Sequence, residues 1–245
     1  MQRADTHFPP SALEAVVLAG GLGTRLRPVV NDRPKAMALV AGRPFLEWLI
    51  EDLRRQGIRR LVLCTGYMSE SIEDHFGSGS AWGVEIVYSR ESVPLGTGGA
   101  VKLALPKLLS SRFLVLNGDS FCDFNVRELD QVHSEYNAAV TLWLVTVEDS
   151  ERFGAITVDP NRAITEFLEK AASRKSGLIN AGVYLLERRI FEPQTEGSAF
   201  SLERDVFPQF VGHGLYGVVG AGPFIDIGTP ESYEMADLFV QRLRT

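Results

Sequence analysis

Ala15-Val16-Val17-Leu18-Ala19-Gly20-Gly21-Leu22-Gly23-Thr24-Arg25-Leu26, followed by Arg33-Pro34-Lys35, is the stretch from which the rest of the chain can be read. An apolar strand runs into a glycine-rich turn, then meets one cation and, further on, a second. Glycines let backbone N–H groups come close to phosphate oxygens, and Arg25 and Lys35 can neutralise charge that shifts during a reaction. The arrangement suits a triphosphate. Two commoner phosphate loops are excluded. A dinucleotide fingerprint needs a further glycine three places after Gly23, where Leu26 stands. A Walker loop needs Gly-Lys-Ser/Thr at its end, and none follows. The plain alternative is a tight turn after a buried strand. Arg25 and the Pro34-Lys35 pair tell against it.

The full string Leu-Ala-Gly-Gly-Leu-Gly-Thr-Arg-Leu, with Pro34-Lys35 downstream, resembles the sugar-1-phosphate nucleotidylyltransferases (NDP-sugar pyrophosphorylases). The resemblance runs from about Ala15 to the C-terminal helix. One departure is Ala36, where many members read Pro-Lys-Pro; it alters a turn and not a charge. The resemblance implies nucleotidyl transfer. The phosphate of a sugar 1-phosphate attacks the α-phosphorus of a nucleoside triphosphate, and pyrophosphate leaves. Such a reaction needs positioning and charge neutralisation more than covalent chemistry. It also implies Mg²⁺ as cofactor, held by carboxylates and phosphate oxygens.

At 245 residues and 45% hydrophobic, the chain is long enough for one large α/β domain with a substantial core. Residues 1–12 read as a flexible arm and 13–245 as a single domain, with a nucleotide-binding part at about 13–125 and a sugar-binding part at about 126–245. No run reaches membrane-spanning length and no secretory pattern opens the chain, so a soluble, cytoplasmic protein is expected, with no membrane partner. Net charge is −6 and no basic stripe occurs, which argues against nucleic acid as a partner. Homo-oligomers are compatible with this reading. The two cysteines, Cys64 and Cys122, read as buried or semi-buried free thiols. The four histidines lack metal-type spacing and are expected at helix surfaces or in loops.

Strand patterns at Ala15–Ala19, Leu61–Thr65, Val84–Ser89, Phe113–Asn117 and Ala139–Val147 alternate with helical patterns at Pro44–Gln56, Met68–Phe76 and Val126–Tyr136. This predicts a Rossmann-like, mixed but mainly parallel central sheet with helices on both faces. After Phe153 shorter strands follow: Ala155–Val158, Ile164–Leu168, Leu178–Leu186 and Leu215–Val219. They are expected to add a smaller antiparallel, sugar-binding part. Thr229-Pro230-Glu231 predicts a helix start, and the last helix should bury Tyr233, Ala236, Val240 and Leu243. Ligands in parallel sheets sit at the carboxyl ends of strands, where the glycine turn and Asp119 both fall.

The resemblance assigns candidate residues. Arg25, Lys35 and Asp119 would be catalytic: Arg25 on the β/γ-phosphates, Lys35 nearer the α-phosphate. Leu18, Ala19, Gly20, Gly21, Gly23 and Thr24 would surround the nucleotide, joined by Gly96 and Thr97 of a second glycine-rich turn and by Glu91 as a base contact. Asp119, in Asn117-Gly118-Asp119, and Asp226, in Phe224-Ile225-Asp226-Ile227-Gly228-Thr229, would hold the metal. Each alone is also a fair turn former or cap. Glu169 and Lys170 resemble a sugar-phosphate motif whose following proline is replaced by Ala171. Asn180 and Gly182 lie in a segment similar to the family's sugar-contacting one, and Glu203 would bind a sugar hydroxyl or cap a helix.

Arg33-Pro34-Lys35-Ala36-Met37, Gly42-Arg43-Pro44-Phe45-Leu46-Glu47 and Leu95-Gly96-Thr97-Gly98-Gly99-Ala100 are most similar to the D-glycero-D-manno-heptose 1-phosphate guanylyltransferases, which implies GTP and that sugar phosphate as substrates. Mannose-1-phosphate guanylyltransferase is the runner-up, and a hexose-1-phosphate uridylyl- or thymidylyltransferase comes third. The chain ends with its last helix, which argues against relatives with an appended acyltransferase or β-helix. A silent nucleotide-sugar-binding regulatory subunit would be expected to lack a metal aspartate or the loop cation, and all four charged residues are here. A glycosyltransferase would be expected to carry Asp-x-Asp where this chain reads Asn117-Gly118-Asp119.

Overall fold

The computed structural model describes residues 13–148, 153–168 and 176–242. Strand β1 (Glu14–Leu18) is apolar along nearly its whole length because it lies in the middle of the sheet. The short strands β2 (Leu39–Val40) and β3 (Arg43–Pro44) form a small ribbon before helix α1 (Phe45–Arg55). On α1, Phe45, Leu46, Leu49, Ile50 and Leu53 are buried together on one face. The helix stops at Gly57, whose φ of 99° suits the position after the cap. There the Gly57 N–H donates to Arg54 O (3.1 Å) and the Ile58 N–H to Leu53 O (3.0 Å), a Schellman closure, with Ile58 and Leu53 both buried in the core.

Strand β4 (Arg60–Thr65), helix α2 (Ser69–Phe76), strand β5 (Glu85–Arg90), helix α3 (Gly96–Ala104) and strand β6 (Arg112–Asn117) complete the alternating half. Strands β5, β4, β1 and β6 lie side by side, all parallel. Strand β7 (Ser120–Cys122), helix α4 (Val126–Glu135) and strand β8 (Val140–Val147) follow. Then come β9 (Ala155–Val158), β10 (Ile164–Leu168), β11 (Gly177–Glu187), β12 (Leu215–Gly220), β13 (Phe224–Asp226), α5 (Pro230–Glu234) and α6 (Ala236–Arg242).

The expected mixed sheet is present, and its antiparallel part is continuous with the parallel part. Strand β11 runs antiparallel to β6, β8 and β9, and β9 pairs antiparallel with β10. Strand β12 departs from the antiparallel pattern of this part: it pairs parallel with β8. The last helix is also broken, by Met235 between α5 and α6. Ala236 and Val240 are buried, Tyr233 is only half-buried because its hydroxyl reaches out to Leu39 O (2.7 Å), and Leu243 lies outside the described residues. Thr229 caps α5 with a capping box, with Pro230 at the first helical position. Both cysteines are buried and free. No helix among the described residues is long and apolar enough to cross a membrane. The N-terminal arm lies outside the described residues.

His133 departs from the surface placement expected of it. It is fully buried, with Nδ1 2.8 Å from Thr141 Oγ1 and Nε2 3.3 Å from Glu187 Oε1. The polar requirement is met by a cluster at the sheet end opposite the glycine turn. Arg112 donates there to Asp130 (2.9 Å) and Glu187 (3.0 Å). Burial holds the His133 pKa below its ordinary value of 6.5, against the pull of Glu187. The folded protein therefore keeps His133 neutral, while the unfolded chain takes up a proton near pH 6.5. That contribution to stability is complete above the unfolded pKa and is lost as pH falls from there through the lower folded value. Melting temperature is accordingly expected to drop between pH 7.5 and 5.5. His133→Gln, which costs about 1–3 kcal/mol at pH 7.5 by leaving Thr141 or Glu187 short of a partner, should flatten that slope. An unchanged slope in this variant would assign the acid sensitivity to other groups.

Candidate active site

The carboxyl ends of β1 and β6 are neighbours, because the two strands pair in register Leu18↔Asn117. Gly118 then folds back so closely that its N–H donates to Leu18 O at 2.9 Å, and a Cβ there would lie 2.6 Å from the same oxygen. Only glycine permits that approach. It delivers Asp119 beside the first glycine turn. The ribbon of β7 and β13 does the rest. Its pairing of Asp226 with Ser120, and the Ile227 N–H bond to Asp119 O (2.9 Å), bring two segments remote in sequence side by side.

The charged residues expected to meet do meet. Lys35 Nζ lies 2.5 Å from Asp119 Oδ2 and 3.9 Å from Asp226 Oδ2. Ser120 Oγ lies 3.3 Å from Asp119 Oδ1 and 3.4 Å from Asp226 Oδ2, bridging the two acids. Asp226 is oriented by the Gly228 N–H, which donates to its Oδ1 at 2.9 Å. Gly228 itself sits at the crowded centre. A Cβ on it would come within 2.5 Å of Asp226 Oδ1, 3.0 Å of Lys35 Nζ and 3.3 Å of Arg25 Nη2. Sequence reading passed over both Ser120 and Gly228. Gly228 had a visible signal, its place two residues after Asp226.

A cleft opens over this cluster, lined by Leu18, Ala19, Gly21, Gly23, Thr24 and Arg25 of the first glycine turn, and by Lys35, Asp119 and Gly228. Gly21 faces open space, and Gly23 takes a φ of 58° against the Lys35 stem. Gly20 is turned away. A Cβ there would lie 2.8 Å from Glu91 Oε1, so its missing side chain makes room for a carboxylate of the protein. Glu91 lies between the two glycine turns, accepting the Leu95 N–H at 3.1 Å, and burial raises its pKa.

The second glycine turn is built differently. The N–H groups of Gly98 and Gly99 donate to Phe200 O (2.9 and 3.3 Å), and a Cβ on Gly96 would lie 2.6 Å from that same oxygen. These glycines accommodate the 198–200 segment. Thr97 Oγ1 accepts the Leu202 N–H (2.9 Å) and donates to Glu203 Oε2 (2.7 Å), so the Thr97 and Glu203 side chains are bonded to each other.

Asn180 and Gly182 share a bulge in β11, where the register against β8 shifts between Asn180 and Tyr184. Gly182 has a φ of 76°, and a Cβ on it would be 2.7 Å from Asn117 Nδ2. The bulge thus rests directly on the residue that precedes Gly118-Asp119. Sequence reading gave Asn117 no role of its own and named Tyr184 only as part of a segment. Glu169 and Lys170 lie outside the described residues.

Asp119 and Asp226 offer hard oxygen donors side by side, and among the described residues no group of three or more His, Cys, Asp and Glu is arranged to hold a metal ion. A cation there would draw its remaining ligands from substrate and water, which is the habit of Mg²⁺. The donor set fits that ion.

The nucleotidyl transferase family matches residues 14–242. The chain is 39% identical to the D-glycero-alpha-D-manno-heptose 1-phosphate guanylyltransferase of Aneurinibacillus thermoaerophilus over 230 residues, which is 94% of this chain and 99% of that protein. It is 40% identical to the mannose-1-phosphate guanylyltransferase of Mycobacterium tuberculosis over 90% of this chain, but spans only 62% of that protein. In structure it is similar to HddC from Yersinia pseudotuberculosis, solved in complex with GMP-PN, with a TM-score of 0.81, 35% identity and coverage of 93% of this chain and 99% of that one. With its family match running from β1 to α6, the chain belongs to the nucleotidyl transferase family.

Proposed function

We propose that the protein transfers GMP from GTP to D-glycero-D-manno-heptose 1-phosphate, releasing pyrophosphate. One observation carries the choice of substrates. Two heptose 1-phosphate guanylyltransferases, 39% and 38% identical over 94% and 90% of this chain, are among its relatives, beside a mannose relative 40% identical over 90%. That similar identity keeps mannose 1-phosphate as the second reading. The retained charges of Arg25, Lys35, Asp119 and Asp226 support an enzyme over a silent regulatory subunit.

The chemistry follows from the cleft. A phosphate oxygen of the sugar 1-phosphate forms a bond to the α-phosphorus of GTP as the bond to the bridging α–β oxygen breaks, and the electron pair leaves with pyrophosphate. Arg25, exposed at the cleft, holds the β- and γ-phosphates with its planar fork. Lys35 lies between the acids and the glycine turn, so its ammonium faces the charge that gathers on the transferring phosphoryl group. The first glycine turn, with Gly21 open to the cleft, lets the phosphates approach the backbone. Mg²⁺ bound by Asp119 and Asp226 would polarise phosphoryl oxygens. Asn180, at the β11 bulge, offers an amide to sugar hydroxyls.

Three outcomes are expected. In a panel of four nucleoside triphosphates against heptose, mannose and glucose 1-phosphates, read by pyrophosphate release, GTP with the heptose should exceed every other pair at least about tenfold, which one well-placed hydrogen bond can supply. A best rate with mannose 1-phosphate would select the second reading. Asp119→Asn and Asp226→Asn should each lower kcat by about a hundredfold or more in Mg²⁺ with little change in melting temperature; wild-type turnover in both would remove the metal assignment. Gly228→Ala should likewise lose about tenfold or more in kcat/KM, because its methyl group collides with Asp226 and Lys35.

A further inference from the structure

Tyr184 is fully buried, yet its hydroxyl connects two parts of the site. It accepts from Asn180 Nδ2 at 2.9 Å and donates to Glu203 Oε1 at 3.0 Å. A phenol has one proton, and here it is committed to Glu203. Glu203 is as heavily engaged. Its second oxygen accepts from Thr97 Oγ1 and from Ser201 Oγ, both at 2.7 Å. A chain of hydrogen bonds therefore runs from the β11 bulge, through Tyr184 and Glu203, to the N-terminal turn of α3. The bulge in turn rests on Asn117 at the end of β6, two residues before Asp119.

We infer that Tyr184 and Glu203 are positioning residues: through this relay the sugar side of the site sets the place of the Gly96–Thr97 turn, and so the affinity for nucleotide. The inference rests on the proposed use of GTP and on the resemblance, which puts Gly96 and Thr97 beside the nucleotide. A buried phenol cannot itself touch GTP, so any effect of Tyr184 on nucleotide affinity must pass through its neighbours. A bonded chain in a low-dielectric interior also transmits displacement, because leaving one member unpaired is costly. This assigns Glu203 a role other than binding a sugar hydroxyl, since three hydroxyl groups of the protein already occupy it.

The test is equilibrium titration of the full chain with GTP in the absence of sugar phosphate, alongside melting temperature. Tyr184→Phe is expected to raise the GTP Kd about fivefold or more, the lower end of measured coupling between sites. Thr97→Val should raise it too, and the double variant should exceed the larger single effect by little, because both cut one chain. Glu203→Gln keeps the shape but puts an amide donor against a hydroxyl that donates, and should reproduce the Tyr184→Phe shift if that variant fails to fold. A folded Tyr184→Phe or Glu203→Gln protein with the wild-type Kd would overturn the inference, as would loss of folding in both, which would make the pair structural only. Wild-type protein that binds another triphosphate in place of GTP would refute the base assignment alone, and the same comparison made with that nucleotide decides the relay. Wild-type protein that binds none would refute both.

Discussion

The pairing of β7 with β13 is the constraint on which the site depends. Two carboxylates at neighbouring positions repel, and at the low effective dielectric of a partly buried cleft the repulsion is several times stronger than in water. Hydrogen bonds of a short ribbon hold Asp119 and Asp226 together regardless. Lys35 then offsets the charge from the side of the glycine turn, and Ser120 bridges the acids. The cost of gathering like charges is met by backbone pairing and one cation. What remains is a region of concentrated negative charge that a divalent ion and a polyphosphate could share.

The sheet determines where that ribbon can form. Parallel pairing of β1 with β6 puts two loops at one edge, and the antiparallel entry of β11 beside β6 adds the bulge at Asn180–Gly182 to the same place. Glycine is needed at two close contacts here for reasons of space. Gly118 lets its loop press on the end of β1, and Gly182 lets the bulge press on Asn117. At the opposite end of the sheet the Arg112–Asp130–Glu187–His133 cluster closes the core with charges fully engaged. One end of the sheet is thus closed by paired charges and the other opens as a charged cleft.

Most strands and helices were legible from the sequence because their apolar residues follow clean periods. The run Ala15–Leu18 is continuous because it is buried on both faces, and the Phe45–Leu53 face recurs at helical spacing before Gly57. The parallel direction of β12 was not legible: direction depends on where the chain returns from, and composition carries no record of it. The placement of His133 was missed for a similar reason. Its partners Thr141 and Glu187 come from two different strands, and only the folded sheet brings them together. In the site, charged residues inside a long motif could be named in advance. Ser120, Gly228, Asn117 and Tyr184 required knowledge of register, because their roles come from which residue lies opposite them.

The two glycine-rich turns show where a sequence pattern stops being informative. Both read as turns that could approach phosphate. In the first, Gly21 faces open space and Gly23 lies on the Lys35 stem, so the cleft is left to a ligand. In the second, the amides of Gly98 and Gly99 are already bonded to Phe200, and the space beside Gly96 is filled by the same backbone. Missing side chains there admit another piece of the protein. A run of glycines states only that something comes close to the backbone. Charge decides what comes close: Arg25 and Lys35 stand beside the first turn, while the second meets the neutral 198–200 segment. The same distinction separates the two turns: the first lines the cleft, while the second joins α3 to the 198–203 segment through Thr97 and Glu203.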